Sequence, residues 1–142
     1  PAGSDKLTVA QLRAKFSPIR NHGTPAASMP GPVRVAEEDA SVTILQPTHQ
    51  VLNFPNKITD IDFEGWVQER STYQAEKMDN RFESLIAMND TGEKESNGSL
   101  ITAKYGKGNI TYVSLVMFRQ LPAGIAGAYK LMANLIAQPK NK

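Results

Sequence analysis

The alternation of apolar and polar positions is clearest in the last third of the chain. Residues 99–118, SLITAKYGKGNITYVSLVMF, contain two runs rich in β-branched and aromatic side chains on either side of YGKGN. Gly106 and Gly108 can supply the positive φ values that a tight reversal needs, so the stretch predicts a β-hairpin. Its end, YVSLVMF (112–118), is apolar almost throughout, which is typical of a strand buried on both faces of a sheet.

An amphipathic helix is predicted directly after this hairpin, over residues 123–138, with Pro139 ending it. Its apolar residues fall on one stripe with a period of 3.6 residues, and the stripe consists of Ile125, Ala128, Tyr129, Met132, Leu135 and Ile136. A strand, a short loop and a helix in this order indicate an α/β layout in which the helix covers one face of the sheet.

The middle of the chain adds two shorter strands. SVTILQP (41–47) is β-branched and bounded by Pro47, and FESLIAMND (82–90) runs into the polar loop NDTGEKESNG. Between them, HQVLNFPNKIT (49–59) is apolar but interrupted by Pro55, which predicts a packed turn or a single helical turn.

The first forty residues differ in composition from the rest. KLTVAQLRAKF (6–16) has apolar residues at loosely helical spacing and predicts a short helix, with Thr8 as its N-cap. Residues 17–33 contain four prolines and two glycines, which predict an extended segment. We therefore expect an extended, Pro/Gly-rich segment over 1–40, one α/β domain over 41–138, and a tail over 139–142.

Composition and charge exclude several classes of protein. The 142 residues fit a single domain, and 16 basic against 14 acidic residues give a net charge of +2, too small to indicate a nucleic-acid partner. No run of 18 apolar residues occurs, so no membrane span is expected. Because the chain has no cysteine, thiol nucleophiles, thiolate metal ligands and disulfides are all excluded.

The segment ITDIDFEGWVQER (58–70) resembles the start of a calcium-binding EF-hand loop. Asp60, Asp62 and Glu64 alternate before Gly65, but the twelfth position of such a loop needs a bidentate glutamate, and here it is Ser71. Without that ligand the acids can be ordinary solvated charges or the N-terminal cluster of a helix, so no metal site is predicted. Neither histidine, His22 or His49, lies in a local catalytic motif, and both are interpreted as loop residues.

A polar cluster remains as the candidate site, and it consists of Trp66, Gln68, Glu69, Arg70, Arg119 and Gln120. Arg119 follows an apolar strand at its carboxyl end, the edge where ligands lie in open α/β sheets. Two alternatives stay open. In one, an acid such as Glu69 forms an ion pair with Arg119 or Arg70 that fixes the loop to the sheet. In the other, the cluster binds a ligand and Trp66 is a stacking platform.

Four stretches, LNFPNKIT, DFEGWVQER, GSLITAKYGKGNITYVSL and FRQLPAGIAGAYKLMANLIA, carry a family resemblance. They resemble the C-terminal region of bacterial PIG-L/LmbE-type deacetylase proteins, which is itself similar to class I glutamine amidotransferases. The resemblance covers roughly residues 41–138. It implies the later part of a flavodoxin-like α/β sheet, with a C-terminal hairpin and amphipathic helix.

The resemblance also implies what the chain lacks. Class I amidotransferases have an F-H-P-E-like segment after the last strand and a distant catalytic cysteine, whereas this chain reads Phe118-Arg119-Gln120-Leu121-Pro122 and has no cysteine. The A-H-P-D-D-E-like zinc motif of the deacetylases is missing as well. Glutamine hydrolysis and zinc-dependent deacetylation are therefore not expected of these residues, and no cofactor is predicted.

The expected function is that of a non-catalytic accessory or interaction module of an N-acetylglucosamine-type deacetylase protein. Its expected partners are the rest of the parent polypeptide or a homodimer mate, with Trp66 and Gln68 as candidates for sugar contact. By resemblance, the expected location is periplasmic or extracellular. The alternative is a small hydrolase that uses Asp60, Asp62, Glu64 and Glu69 with Arg119 as an electrostatic stabiliser.

Overall fold

The computed structural model describes residues 36–76 and 78–138, so the predicted helix over 6–16 and the tail over 139–142 lie outside the described residues. Short strands and two 3-10 helices come first, and the two α-helices come last. The elements are β1 (Ala36–Glu37), β2 (Ser41–Ile44), 3-10 helices Gln50–Leu52 and Asp60–Phe63, β3 (Glu69–Ser71), β4 (Glu83–Ser84), β5 (Ile86–Asn89), β6 (Leu100–Tyr105), β7 (Gly108–Val113), α1 (Met117–Gln120) and α2 (Ala126–Ile136).

The strand pairings of the described residues are all antiparallel. β1 pairs with β3, β2 with β5, and β6 lies between β4 and β7. The expected α/β character is confirmed in its coarse form, as small antiparallel sheets with two helices. The flavodoxin-like sheet is not confirmed, since its strands would be parallel. The folded part also starts earlier than residue 41, because β1 pairs with β3.

Backbone hydrogen bonds connect the three small sheets. Leu85 lies between β4 and β5, and it donates its N–H to Leu100 O at 2.9 Å while its carbonyl accepts the N–H of Leu45 at 2.9 Å. β4 and β5 are thus one bent strand shared by two sheets. Beyond β7, the N–H of Val116 donates to Arg70 O at 3.0 Å, which carries the chain alongside β3.

The predicted hairpin is confirmed, and its details correct two expectations. β6 and β7 pair one to one from Leu100–Val113 to Tyr105–Gly108, with φ of +58° at Gly106. Gly108 has no positive φ, so only the first glycine has the predicted conformation. The strand predicted over 112–118 ends at Val113, because the chain leaves β6 there, runs beside β3 and begins α1. Most of β7 is only half-buried.

The predicted C-terminal helix is confirmed as α2, but its buried face is rotated from the predicted stripe. Ala128 and Leu131 are buried, whereas Tyr129 is 53% exposed and Ile136 is 77% exposed. Gly127 and Asn134 are buried in their place. A Cβ on Gly127 would lie 1.8 Å from Asp62 O, so the helix makes its closest approach at that glycine. That contact, rather than the apolar periodicity alone, sets its rotation.

The core lies between α2, the two 3-10 helices and the inner faces of the strands. Its largest fully buried apolar side chains are Phe63, Leu52, Leu85, Ile86, Met88, Leu100, Ile101, Leu131, Val51 and Val116. The single helical turn predicted within 49–59 is the 3-10 helix Gln50–Leu52, which supplies two of them. Neither helix in the described part of the chain is long and apolar enough to cross a bilayer.

Candidate functional site

The 64–71 loop and α1 bring together most of the polar residues that the sequence singles out. Gly65 turns the chain with φ of +70°, and Trp66 then enters the core at 4% exposure. Trp66 donates its indole N–H to Asp62 O at 3.0 Å, and its ring centre lies 5.2 Å from that of Phe63. Trp66 is therefore a core residue, and the stacking-platform alternative is wrong for it.

Gln120 is the main attachment of this loop. Its side chain is fully buried, and its Oε1 accepts the N–H of Val67 at 2.9 Å. Its Nε2 donates to Val67 O at 3.0 Å and to Glu69 O at 3.2 Å. The carboxamide of Gln120 thus bonds the loop backbone through both its oxygen, which accepts, and its nitrogen, which donates, as the backbone of a neighbouring strand would. Each such bond in a buried place is costly to remove.

Glu69 and Arg119 form the ion pair that the first alternative anticipates. Arg119 Nε lies 3.1 Å from Glu69 Oε2, and neither atom is accessible to solvent. The N–H is not aligned with that oxygen, so the contact is an ion pair without a formed hydrogen bond. The Arg119 side chain is 37% exposed and the Glu69 side chain is 30% exposed. Partly exposed pairs of this kind contribute only about 0–1 kcal/mol, so the Gln120 bonds stabilise the loop more.

Arg119 also contacts two exposed neighbours. It donates from Nη1 to Gln68 Oε1, and its guanidinium lies 5.5 Å from the centre of the Phe118 ring. Gln68 has φ of +62°, the left-handed region that residues with a side chain seldom adopt. This conformation costs on the order of 1 kcal/mol. The Gln120 bonds on either side of Gln68 hold the backbone there.

Arg70 does not join this cluster. It donates from Nε to Glu38 O at 2.6 Å, toward the turn that follows β1. Burial lowers the pKa of Arg70, while the charges of Asp39 and Glu64 partly oppose that shift. Ser71, the residue that ruled out a calcium loop, is fully buried with its Oγ 2.8 Å from that of Ser114. It joins β3 to the end of the hairpin.

Two of the carboxylates that the hydrolase alternative would use are paired with separate cations. Asp62 accepts a hydrogen bond from Lys130 Nζ at 2.8 Å, and Glu69 pairs with Arg119 on a different helix. Asp60 and Glu64 are exposed. In the described part of the chain, no three His, Asp or Glu side chains are close enough to share a metal ion.

Asn134 is a structural residue that the sequence analysis missed. It is fully buried in α2, accepts the N–H of Asn56 at 2.8 Å, and donates to Val51 O and Asn56 O at 2.8 and 2.7 Å. It holds the turn that contains the cis Phe54–Pro55 bond against α2. The one clue in the sequence was a polar residue within an apolar helix, which periodicity alone assigns to the exposed face.

His49 is also structural, whereas His22 lies outside the described residues. His49 Nδ1 accepts the N–H of Val51 at 3.2 Å and so caps the 3-10 helix Gln50–Leu52. Its Nε2 lies 3.9 Å from a carboxylate oxygen of Glu83. The loop position expected from the sequence agrees with this placement.

Asp62 gives the fold a dependence on acid. Burial by itself would raise the pKa of this carboxyl, but hydrogen bonds from Lys130 and from the N–H of Thr59 outweigh it and lower the pKa. Because the folded state binds the proton more weakly than the unfolded chain, Asp62 stabilises the protein above the ordinary carboxyl pKa of about 4. That contribution is lost as the pH falls through the lowered value.

We therefore expect Asp62→Asn to lower the free energy of unfolding at pH 7 by about 1.5–3 kcal/mol, the usual range for hydrogen bonds to a charged group. The difference from the natural protein should shrink as the pH is lowered through 4 toward 2. Urea unfolding at several pH values measures it. Asp60→Asn is the control, because Asp60 is exposed in the same 3-10 helix. An Asp62→Asn effect that is constant with pH would contradict the account.

No protein-family model, curated protein or solved structure matches the chain.

Proposed function

We propose that this chain is a non-catalytic interaction module of a PIG-L-type deacetylase protein, with the rest of that polypeptide as its partner. The resemblance over residues 41–138 supports the family. The absence of the amidotransferase His and Glu from Phe118-Arg119-Gln120-Leu121-Pro122, and of any cysteine, supports the absence of glutamine hydrolysis. In this proposal the domain corresponds to the later part of an amidotransferase-like domain, where a hairpin and a helix follow the parallel strands.

The proposal depends on one observation, which is that the candidate polar side chains are bonded to other parts of the protein. Trp66 and Gln120 are buried and bonded to backbone, and Arg70 bonds to Glu38 O. Glu69 is paired with Arg119. These groups bond to the protein itself and hold the 64–71 loop in one conformation. A recognition surface needs supporting residues that hold it in this way. A catalytic site would instead direct such groups toward a substrate.

The 64–71 loop and α1 together present an exposed surface, which we call the Phe118 surface and define as Val67, Gln68, Phe118 and Arg119. Phe118 is 68% exposed and Val67 is 37% exposed. An exposed aromatic ring beside an arginine is the composition typical of the energetic centre of a protein interface. Gln68 fixes Arg119 beside the ring, so the surface is ordered before a partner binds.

A contact with carbohydrate, and a periplasmic or extracellular location, belong to the same proposal. Gln68 is exposed and can hydrogen-bond a sugar, whereas the ring available for stacking is Phe118 and not the buried Trp66. Support for both points comes from the family resemblance.

The test begins with the reading frame that encodes the chain, which we expect to encode a zinc-dependent deacetylase domain upstream. That domain, expressed separately, should bind this chain in a calorimetric titration. Phe118→Ser should weaken binding by about 30-fold or more, the usual effect of losing a central aromatic contact, while the far-ultraviolet CD spectrum stays unchanged.

Ile136→Ser is the matched control. Ile136 is 77% exposed near the end of α2, so its loss removes a similar apolar area from another surface and should leave binding unchanged. A frame without a deacetylase domain, or equal binding by the Phe118→Ser variant and the natural protein, would overturn the proposal.

A further inference from the structure

We propose that Asn97 is a site of spontaneous deamidation, and that the isoaspartate formed there breaks the contact between Gly98 and Ala75. Asn97-Gly98 is the only asparagine–glycine pair in the chain, and it lies in the connection between β5 and β6. The modification uses water and needs no other protein. It does not depend on the deacetylase resemblance or on the Phe118 surface, so either proposal can fail while the other stands.

The reaction joins two groups that the covalent chain already holds close together. The backbone nitrogen of Gly98 loses its proton and attacks Cγ of Asn97, and the side-chain nitrogen leaves as ammonia, which closes a succinimide ring. Water then adds to one of the two ring carbonyls and opens the ring, giving aspartate or isoaspartate. Glycine favours the attack because it has no Cβ to obstruct the approach, and an intramolecular nucleophile gains a large advantage from proximity.

The folded structure leaves the reacting groups open. Asn97 is exposed, and within residues 36–76 and 78–138 its side chain forms no hydrogen bond. The Asn97 carbonyl and the Gly98 N–H, which belong to one peptide unit, have no hydrogen-bond partner in that part of the chain either. Rotation of this peptide unit about Asn97 ψ and Gly98 φ therefore breaks no hydrogen bond, so the nitrogen can reach Cγ without local unfolding.

The residues on either side of this peptide unit are fixed by backbone contacts. Ser96 exchanges two hydrogen bonds with Met88, both of 2.8 Å. On the other side, Gly98 O accepts the N–H of Ala75 at 3.0 Å, and a Cβ on Gly98 would lie 1.9 Å from Ala75 O. Gly98 thus lies directly against the Ala75 backbone, and Asn97 alone spans the distance between the two contacts.

Isoaspartate at position 97 lengthens the chain between these two contacts. Its backbone runs through the former side-chain carbonyl, so one extra methylene group separates Ser96 from Gly98. Both contacts cannot then keep their present geometry. The contact of Gly98 with Ala75 has one hydrogen bond, against two between Ser96 and Met88, so we expect Gly98 to move and the Ala75 N–H to lose its partner.

Mass spectrometry of the natural protein, kept folded in mildly alkaline buffer, tests the site. The peptide that contains Asn97 should gain about 1 Da, at least about ten times faster than the peptide with Asn109, which isoleucine follows. The rate should lie within about tenfold of that in the urea-unfolded protein, because no hydrogen bond must break first. Asn97→Gln is the control and should gain no mass, since its longer side chain closes a larger, less favourable ring. A mass gain confined to the unfolded protein would overturn the inference, as would equal rates at Asn97 and Asn109.

Hydrogen exchange tests the structural consequence. In protein that carries isoaspartate at position 97, protection of the Ala75 amide should fall by about fivefold, the effect of losing one hydrogen bond, while the β6–β7 amides keep theirs. Freshly prepared Asn97→Asp adds the same negative charge without lengthening the backbone, so its Ala75 amide should exchange as in the natural protein. Unchanged Ala75 protection in the isoaspartate form would overturn the proposed break at Gly98, and so would an equal fall in the Asn97→Asp variant.

Discussion

Replacing Gln120 by leucine is expected to destabilise the protein by about 2–4 kcal/mol, although leucine fills a similar volume in a buried position. The change removes three hydrogen bonds and leaves Val67 N–H, Val67 O and Glu69 O without their partner. An unsatisfied buried backbone group costs about 1–3 kcal/mol, and partial exposure of the loop to water limits the total. Because Trp66 is the sole tryptophan and precedes Val67, urea unfolding followed by its fluorescence reports on this loop.

Gln46→Leu is the matched control for that experiment. Gln46 is exposed just after β2, so the same chemical change should alter the unfolding free energy by no more than about 0.5 kcal/mol. If Gln120→Leu were as mild as Gln46→Leu, the Gln120 bonds would not be what holds the 64–71 loop.

Gly127→Ala should destabilise the protein by about 3 kcal/mol or more, an unusually large effect for one added methyl group. The new Cβ would lie 1.8 Å from Asp62 O and 2.7 Å from Asp62 Cα. Both are backbone atoms, so no side-chain rotation relieves the overlap, and α2 must move away from the 3-10 helix Asp60–Phe63. That movement would also pull Lys130 from Asp62. Thermal unfolding by calorimetry measures the loss.

Gly108→Ala separates this steric effect from the general effect of replacing a glycine. At Gly108 the nearest atom of the described residues to an added Cβ is Tyr105 O at 3.9 Å, an ordinary van der Waals distance, and the residue has no positive φ. The melting temperature of the Gly108→Ala variant should stay within a few degrees of that of the natural protein. Comparable losses for the two variants would contradict the close approach of α2 to Asp62.

The elements that local pattern determines could be predicted from the sequence. The β6–β7 hairpin, the strands at 41–44 and 83–89, and the helix before Pro139 all follow from apolar periodicity and turn residues. The pairing of Glu69 with Arg119 could be anticipated as one of two alternatives, because Arg119 followed a predicted apolar strand and an acid of the polar cluster could pair with it. The partner of Arg70 could not be predicted, because Arg70 bonds to a turn that lies 32 residues earlier in the chain.

The sequence could not predict the features that depend on contacts between segments far apart in the chain. The rotation of α2 depends on a glycine touching Asp62, and the burial of Asn134 depends on a turn 78 residues away. The 112–118 run looks like one buried strand because both β7 and the start of α1 are apolar. It divides only because the chain changes partners from β6 to β3 at Ser114.

Hydrogen exchange of the Val67 amide tests most directly whether Gln120 anchors the 64–71 loop as a structural unit. In the natural protein this N–H donates to a fully buried carboxamide, so the account predicts slow exchange, with protection approaching that of the β6–β7 amides. In Gln120→Leu the protection at Val67 should fall by at least tenfold more than that of the hairpin amides. Exchange of the Val67 amide at the rate of an unprotected loop in the natural protein would contradict the central claim.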